Sequence, residues 1–404
     1  MSNNIPLLNI QEQYQTIATE VEDAVLTVLR SGNYILGKNV AQLEARVAQM
    51  SGCAYGIGVA NGTDALILAL WALDIGPGDE VITTPFTFAA TVEAITMRGA
   101  TPVFVDVDES TFNIDPRLIE KAITKKTKAI LPIHLYGLPA DMEAIMEIAN
   151  RHGLKVIEDN AQGIGATFKG RPTGSFGTVA CISFYPTKNL GACGDAGMLV
   201  TNDPAVAERL KCLRAHGSKR RYFHEELGVN SRLDEIQAAV LLAKVPHLQK
   251  WNQQRQAVAD KYDRALANIA GIICPRIGIP GIAHTSARAL VTHVWHQYTI
   301  RVIGKETSGS SERDDMVKRL CERGIGSMCY YPVPLHLQQA FAHLRYKAGD
   351  FPISETLANE VVSLPMYPEL SDDHIATIAT NISEIVSQKI GFLPANVVSA
   401  AYTG

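Results

Sequence analysis

No stretch of the 404-residue sequence stays apolar long enough to cross a membrane. The longest such run, Ala65 to Leu73, stops at Asp74, far short of the roughly 20 residues that a helical span needs. Charge is also sparse. Charged residues make up 19% of the chain, the formal net charge is −4, and neither end carries an acidic or basic tail. A nucleic-acid-binding face needs a concentrated basic surface, and the one local cluster, Lys219-Arg220-Arg221, is too short to supply it. The 7 cysteines are odd in number and scattered, and no two form a Cys-x-x-Cys pair. That excludes a disulfide framework and the common zinc motifs, and it fits reduced thiols. The 11 histidines show no metal-ligand spacing either. The opening residues, Met-Ser-Asn-Asn-Ile-Pro-Leu-Leu, lack the basic segment and apolar core of a signal peptide. The expectation is a cytoplasmic protein that binds no nucleic acid, no membrane and no metal.

What the sequence does have is an ordinary apolar content of 47% in a chain longer than the ~250–300 residues at which one core stops growing. A large domain over residues 1–250 and a smaller one over 251–404 are expected. An opening helix is read from Ile17, Val21, Val25, Val28 and Leu29, ending at Ser31-Gly32. Strand-like runs follow at Tyr55–Ala60, Glu80–Thr84, Pro102–Val107, Ala129–His134, Lys155–Glu158, Val179–Phe184 and Met198–Thr201. Helical patterns separate most of them, at Asp64–Leu73, Phe88–Arg98, Pro116–Ile123, Asp141–Arg151 and Ala205–Ala215. Several strands are continuously apolar, which suits a sheet covered by helices on both faces. The predicted class is α/β, with a mainly parallel seven-stranded sheet. A long helix over Leu233–Ala265, broken near Pro246, leads into a smaller α+β region. That region has a strand at His296–Val302 and helices near Asp314–Arg323 and Asp372–Val386; a loop is expected at Gly278–Thr292 and a tail after Phe392.

Lys188 is the residue most in need of explanation. It stands in a Gly-rich turn, Tyr185-Pro-Thr-Lys-Asn-Leu-Gly-Ala-Cys-Gly-Asp195, between two strands. Desolvation there would favour the neutral amine, a nucleophile able to form a Schiff base. A lysine capping a turn or paired with Asp195 is the alternative. Four other segments bear on the choice. Asn61-Gly62-Thr63-Asp64 runs from a strand into a helix, either as a phosphate seat or as an ordinary turn and N-cap. Glu158-Asp159-Asn160-Ala161-Gln162 ends a strand where an open α/β sheet places its ligand crevice, although Asp159 also suits an N-cap. Phe88 begins a helix at the same edge, as core or as a platform for a planar ring. In Asn230-Ser231-Arg232-Leu233-Asp234-Glu235, Ser231 and Asp234 read as a capping box, which leaves Asn230 and Arg232 free to bind an anion.

Taken together, Asn-Gly-Thr-Asp-Ala-Leu around Thr63, Asp159 with Gln162, Ser-Phe-Tyr-Pro-Thr-Lys-Asn-Leu-Gly and Asn-Ser-Arg-Leu-Asp-Glu-Ile-Gln-Ala-Ala resemble the DegT/DnrJ/EryC1/StrS family. The resemblance extends from Asn33-Tyr34-Ile35-Leu36-Gly37 to Leu364-Pro365-Met366. It implies a fold type I enzyme dependent on pyridoxal 5′-phosphate that transfers an amino group from an amino acid, by family expectation L-glutamate, to a nucleotide-linked keto-sugar. It further implies that Lys188 carries the cofactor as a Schiff base, that Asp159 pairs with the pyridine nitrogen and that Gln162 meets the ring oxygen. Phe88 would stack on the ring. Gly62, Thr63 and Ser183 would hold the phosphate with Asn230 of the neighbouring subunit in a homodimer. Tyr330, Tyr331 and His336, in a Pro-rich loop, and Arg232 are candidates for contacts to the sugar nucleotide.

The sequence departs from the family pattern at Ala196, where Gly is common, at Asn160, where Ala is common, and at Tyr330, where many 3-keto-sugar enzymes have His. A dTDP-linked 3-keto-6-deoxy sugar is the first expectation for the substrate, and a UDP-linked 2-acetamido keto-sugar the second. A non-catalytic cofactor-binding regulator is the competing class. A dehydratase of the same scaffold would lack the lysine.

Overall fold

The computed structural model describes residues 4–278, 290–304 and 311–390. Its centre is a seven-stranded sheet made of β1 (Tyr55–Val59), β2 (Glu80–Thr83), β3 (Thr101–Phe104), β4 (Thr127–Ile130), β5 (Lys155–Asp159), β6 (Val179–Ser183) and β7 (Gly197–Thr201). Their spatial order is β1-β7-β6-β5-β4-β2-β3. Six strands run parallel, and β7 runs against its neighbours β1 and β6. All seven overlap the strand-like runs of the sequence, although Thr127–Ile130 shares only Ala129 and Ile130 with the run expected at Ala129–His134.

The sheet is buried on both faces, as its apolar strands require. In β6, Val179 and Cys181 join a core formed with the helices Gly62–Ala72, Ala89–Met97 and Pro204–Leu213, while Ala180 and Ile182 join a core on the opposite face. β7 divides in the same way, Leu199 to one side and Met198 with Val200 to the other. This two-residue alternation makes a register slip costly, because it would exchange the faces of every side chain.

The topology also assembles the site. β1, β2, β5 and β6 share one direction, so their carboxyl ends open onto one edge of the sheet. Asn61 to Thr63, Phe88, Asp159 to Gln162, and Ser183 to Lys188 follow those four ends and meet at that edge.

The expected break near Pro246 occurs. Helix Glu235–Lys244 passes through the 3₁₀ turn Val245–His247 into helix Leu248–Leu266. Beyond it, an antiparallel sheet of Ile272–Ile273, Tyr298–Val302 and Val361–Leu364 packs with helices Glu312–Glu322, Pro352–Glu360 and Asp372–Ile390. The opening helix starts earlier than expected, as Ile10–Thr16 and Ala18–Ser31, and Gly32 ends it at φ 67°. Helix Lys38–Met50, helix Pro352–Glu360 and strand Val361–Leu364 are additions to the sequence reading. The expected loop over Gly278–Thr292 falls largely outside the described residues, except that Val291–Thr292 pairs with Thr167–Phe168 as a short strand. The expected tail after Phe392 lies outside them altogether.

Candidate active site

The Lys188 turn is clamped from several sides. Its own backbone closes it, through Lys188 N–H to Tyr185 O at 2.8 Å and Ala192 N–H to Phe184 O at 2.8 Å. Helix Glu235–Lys244 braces it from outside. Gln237 Oε1 accepts from Cys193 N–H at 2.9 Å, and the buried Lys244 Nζ donates to Gly191 O at 2.7 Å. Position 191 must be glycine, because a Cβ there would lie 2.3 Å from Pro186 O. Lys188 Nζ itself meets no acceptor among the described residues, so the turn-capping alternative with Asp195 is not what forms. Burial lowers its ammonium pKa to about 8, against an opposing pull from the nearby Asp159 carboxylate.

Asp159 ends β5, and burial pushes its carboxyl above the ordinary value. The ionised form is held by Thr91 Oγ1–H, which donates to Oδ2 at 2.8 Å, and by Ala161 N–H, which donates to Oδ1 at 3.2 Å. The Asp159 main chain is pinned by bonds to Pro132 O (2.9 Å) and from His134 N–H (3.1 Å). On the other side of the strand, buried Glu158 accepts from Gly174, Phe176 and Gly177 N–H, each at 2.7 Å, and from His134 Nε2 at 3.0 Å. His134 Nδ1 accepts from Ala140 N–H at 3.1 Å, which fixes Nε2 as the protonated nitrogen. Among the described residues no positively charged side chain is bonded to Asp159. It is a buried carboxylate prepared for a positive partner.

Around Asp159 the expected residues gather. Gln162 Oε1 accepts from Tyr136 N–H at 2.6 Å, while its Nε2 makes a 3.4 Å contact to the Tyr331 hydroxyl and keeps a hydrogen to give. Phe88 is 57% exposed, which rules out the core alternative; its ring leans on Tyr331 at 6.2 Å. Tyr136 Oη donates to Tyr330 O, which ties the Tyr330–Tyr331 segment to the same wall. Helix Gly62–Ala72 starts against β6 so closely that a Cβ on Gly62 would lie 2.7 Å from Ser183 Cβ. Asn61 Oδ1 takes the Asp64 N–H at 2.8 Å, leaving the amides of Gly62 and Thr63 at the helix start beside the Ser183 hydroxyl.

Two expectations are corrected. The capping box at Ser231 does not form. Helix Glu235–Lys244 begins after Asp234, whose side chain makes no cap, and buried Ser231 donates to Asp64 Oδ2 at 2.6 Å and accepts from Ala60 N–H at 3.2 Å. His336 does not face the site. Its ring is buried against Phe351, and its Nε2 bonds Glu355 Oε1 at 3.0 Å. Asn230 is exposed and Arg232 is partly so, although their segment is anchored to the body by Ser231 N–H, which donates to Arg214 O at 3.0 Å, and by the buried Ser231 and Leu233. A cavity of about 640 Å³ between Asp108, Arg117 and Phe351 includes none of the expected site residues. Thr91, Tyr136, Asn189 and His296 belong to the site surroundings but went unnoticed in the sequence, because their partners are 26 to 107 residues away.

The sequence model of the DegT/DnrJ/EryC1/StrS aminotransferase family matches residues 15–383. The chain belongs to this family. A pleiotropic regulatory protein of Geobacillus stearothermophilus is 50% identical over 94% of this chain and 98% of its own length. A UDP-N-acetyl-3-dehydro-α-D-glucosamine 3-aminotransferase of Acidithiobacillus ferrooxidans is 47% identical over 94% and 97%. A dTDP-3-amino-3,4,6-trideoxy-α-D-glucose transaminase of Streptomyces venezuelae is 45% identical over 91% and 92%. Among solved structures, that of S. venezuelae DesV in complex with a ketimine intermediate matches with a TM-score of 0.88 at 42% identity, covering 95% of this chain and 98% of that one.

Against the family pattern, Ala196 proves harmless, since it is not among the residues at positive φ. Asn160 is buried, its Nδ2 donating to Thr173 O at 3.4 Å and its Oδ1 lacking a partner and lying where a Cβ on Gly163 would be 2.3 Å away.

Proposed function

We propose that this aminotransferase moves an amino group from an amino acid, L-glutamate by preference, to the carbonyl of a nucleotide-linked 3-keto-sugar. The observation that carries the reading is the pairing of an uncommitted, desolvated Lys188 amine with a buried Asp159 carboxylate that has no bonded cation. The donor set fits pyridoxal 5′-phosphate, the cofactor of this family's solved members. When bound, that cofactor accepts the amino group and serves as the electron sink for the carbanion formed on the donor.

Lys188 holds the cofactor covalently through Nζ. When free, the same amine would take up and return the proton at the donor's α-carbon. Its lowered pKa, about 8, leaves a useful fraction unprotonated near neutrality. Asp159 keeps the pyridine nitrogen protonated, and Thr91 holds the carboxylate in place for that task. Gln162 Nε2 donates to the ring oxygen, and the exposed face of Phe88 stacks on the ring. The Gly62 and Thr63 amides and the Ser183 hydroxyl take the phosphate, joined by Asn230 of a second copy. Arg232, Tyr330 and Tyr331 face the sugar nucleotide.

A homodimer with shared sites suits both the exposed Asn230 and the exposed apolar residues Leu26, Leu29, Tyr34, Ile35 and Leu36 near the N-terminus. A boundary between a large cofactor-binding domain and a smaller one falls near residue 250 in this reading. The test is spectroscopic. Cofactor-loaded protein should be yellow, L-glutamate should convert the spectrum to that of the amine form, and a nucleotide-linked 3-keto-sugar should restore it. Colour that no amino donor changes would favour a non-catalytic regulator instead.

A further inference from the structure

Beside the Lys188 turn lies a cavity of about 80 Å³, walled by Thr187, His296 and Tyr330 on one side and by Leu7, Leu8 and Met366 on another. At roughly 10–15 Å³ of such space per water, it holds on the order of five to eight small groups. Its apolar wall is fixed in place. Met366 N–H donates to Leu7 O at 3.1 Å, and Ile5 is bonded on both sides, to Gly324 O at 2.8 Å and from Gly326 N–H at 2.7 Å. The opposite wall is polar and equally fixed. Asn189 Nδ2 donates to Val294 O and to Asn252 Oδ1, each at 2.8 Å, and a main-chain carbonyl can only accept. The amide oxygen of Asn189 must therefore face His296 Nδ1, at 3.3 Å, so Nδ1 carries the hydrogen. Burial, with the positive charges of Lys188 and Arg255 and the neighbouring His293, keeps the ring neutral at physiological pH. His296 Nε2 is left as a hydrogen-bond acceptor without a partner among the described residues. The Thr187 hydroxyl likewise makes no bond there.

We infer that this cavity receives an acetamido group on the sugar, at the carbon next to the carbonyl that is aminated, and so selects nucleotide-linked 2-acetamido-3-keto-hexoses. The inference rests on the nucleotide-sugar reading above. An acetamido group has four heavy atoms, which fit within that space. Its N–H satisfies His296 Nε2, its carbonyl accepts from Thr187, and its methyl lies on Leu7, Leu8 and Met366. A 2-hydroxyl would satisfy the imidazole but leave the apolar wall to water. A 2-deoxy sugar, with only hydrogen at that carbon, would leave both the acceptor without a donor and the apolar wall uncovered.

Unreactive ground-state ligands test this in the cofactor-loaded chain. UDP-N-acetylglucosamine and UDP-glucose differ at this substituent alone, and calorimetry should find the first bound about tenfold more tightly. His296→Leu should bring the two affinities together, while His296→Gln, which keeps an acceptor, should preserve part of the preference. Equal affinities in the wild-type protein, or an unchanged ratio in His296→Leu, would overturn the assignment. Protein that still reacts with L-glutamate but binds neither ligand would overturn the sugar reading along with it.

Discussion

Burial lowers the ammonium pKa of both Lys188 and Lys244, yet the two amines are committed differently. Lys244 gives a proton to Gly191 O and so holds the turn, whereas Lys188 is left to react. Because only the neutral amine attacks, the rate at which apoprotein takes up the cofactor should climb as pH rises through about 8 and level off above it. Stopped-flow absorbance follows this directly; a midpoint near the ordinary lysine value would mean that Lys188 is not desolvated. Thr91→Val removes the one side-chain donor to Asp159, which destabilises the ionised carboxylate and raises its pKa further. Loss of a bond to a charged group, about 1.5–3 kcal/mol, should lower kcat roughly 10- to 100-fold with cofactor still bound. Lys188, Asp159 and Gly62-Thr63 were legible in the sequence because each follows directly on a strand whose pattern is unambiguous. Thr91 was not, since nothing local distinguishes it from any other helix threonine.

At the scale of elements, helix Lys38–Met50 owes its start to a residue almost two hundred positions away. Its N-cap, Gly37, has no side chain, and the buried Glu235 carboxylate accepts instead from Asn39 N–H at 3.0 Å, Asn39 Nδ2 at 2.8 Å and Val40 N–H at 2.8 Å. Glu235→Ala should therefore cost about 2 kcal/mol, read as a lower urea midpoint. An unchanged midpoint would show that water replaces the carboxylate freely. Non-local partners are also why the capping box suggested at Ser231 does not form. The spacing to Asp234 was right, but Ser231 is drawn to Asp64 and Glu235 to another helix. The seven strands were legible because a sheet buried on both faces leaves continuous apolar runs, whereas Val361–Leu364 follows helix Pro352–Glu360 without a turn residue to announce it.

For the whole molecule, the account requires two copies, each lending Asn230 to the other. Asn230→Ala should weaken cofactor retention, and Lys188→Ala should abolish turnover. Refolding the two variants together should recover about a quarter of wild-type activity, since statistically half the dimers are mixed and each mixed dimer has one intact site. No recovery would place Asn230 in its own chain's site or outside it.

The central claim, that Lys188 is the amine that carries the cofactor, is open to one direct measurement. Cofactor-loaded protein is reduced with borohydride, digested and mapped by mass spectrometry. The account predicts the phosphopyridoxyl group on the peptide containing Lys188. Finding it on Lys244 or another lysine, or on none, would contradict the account.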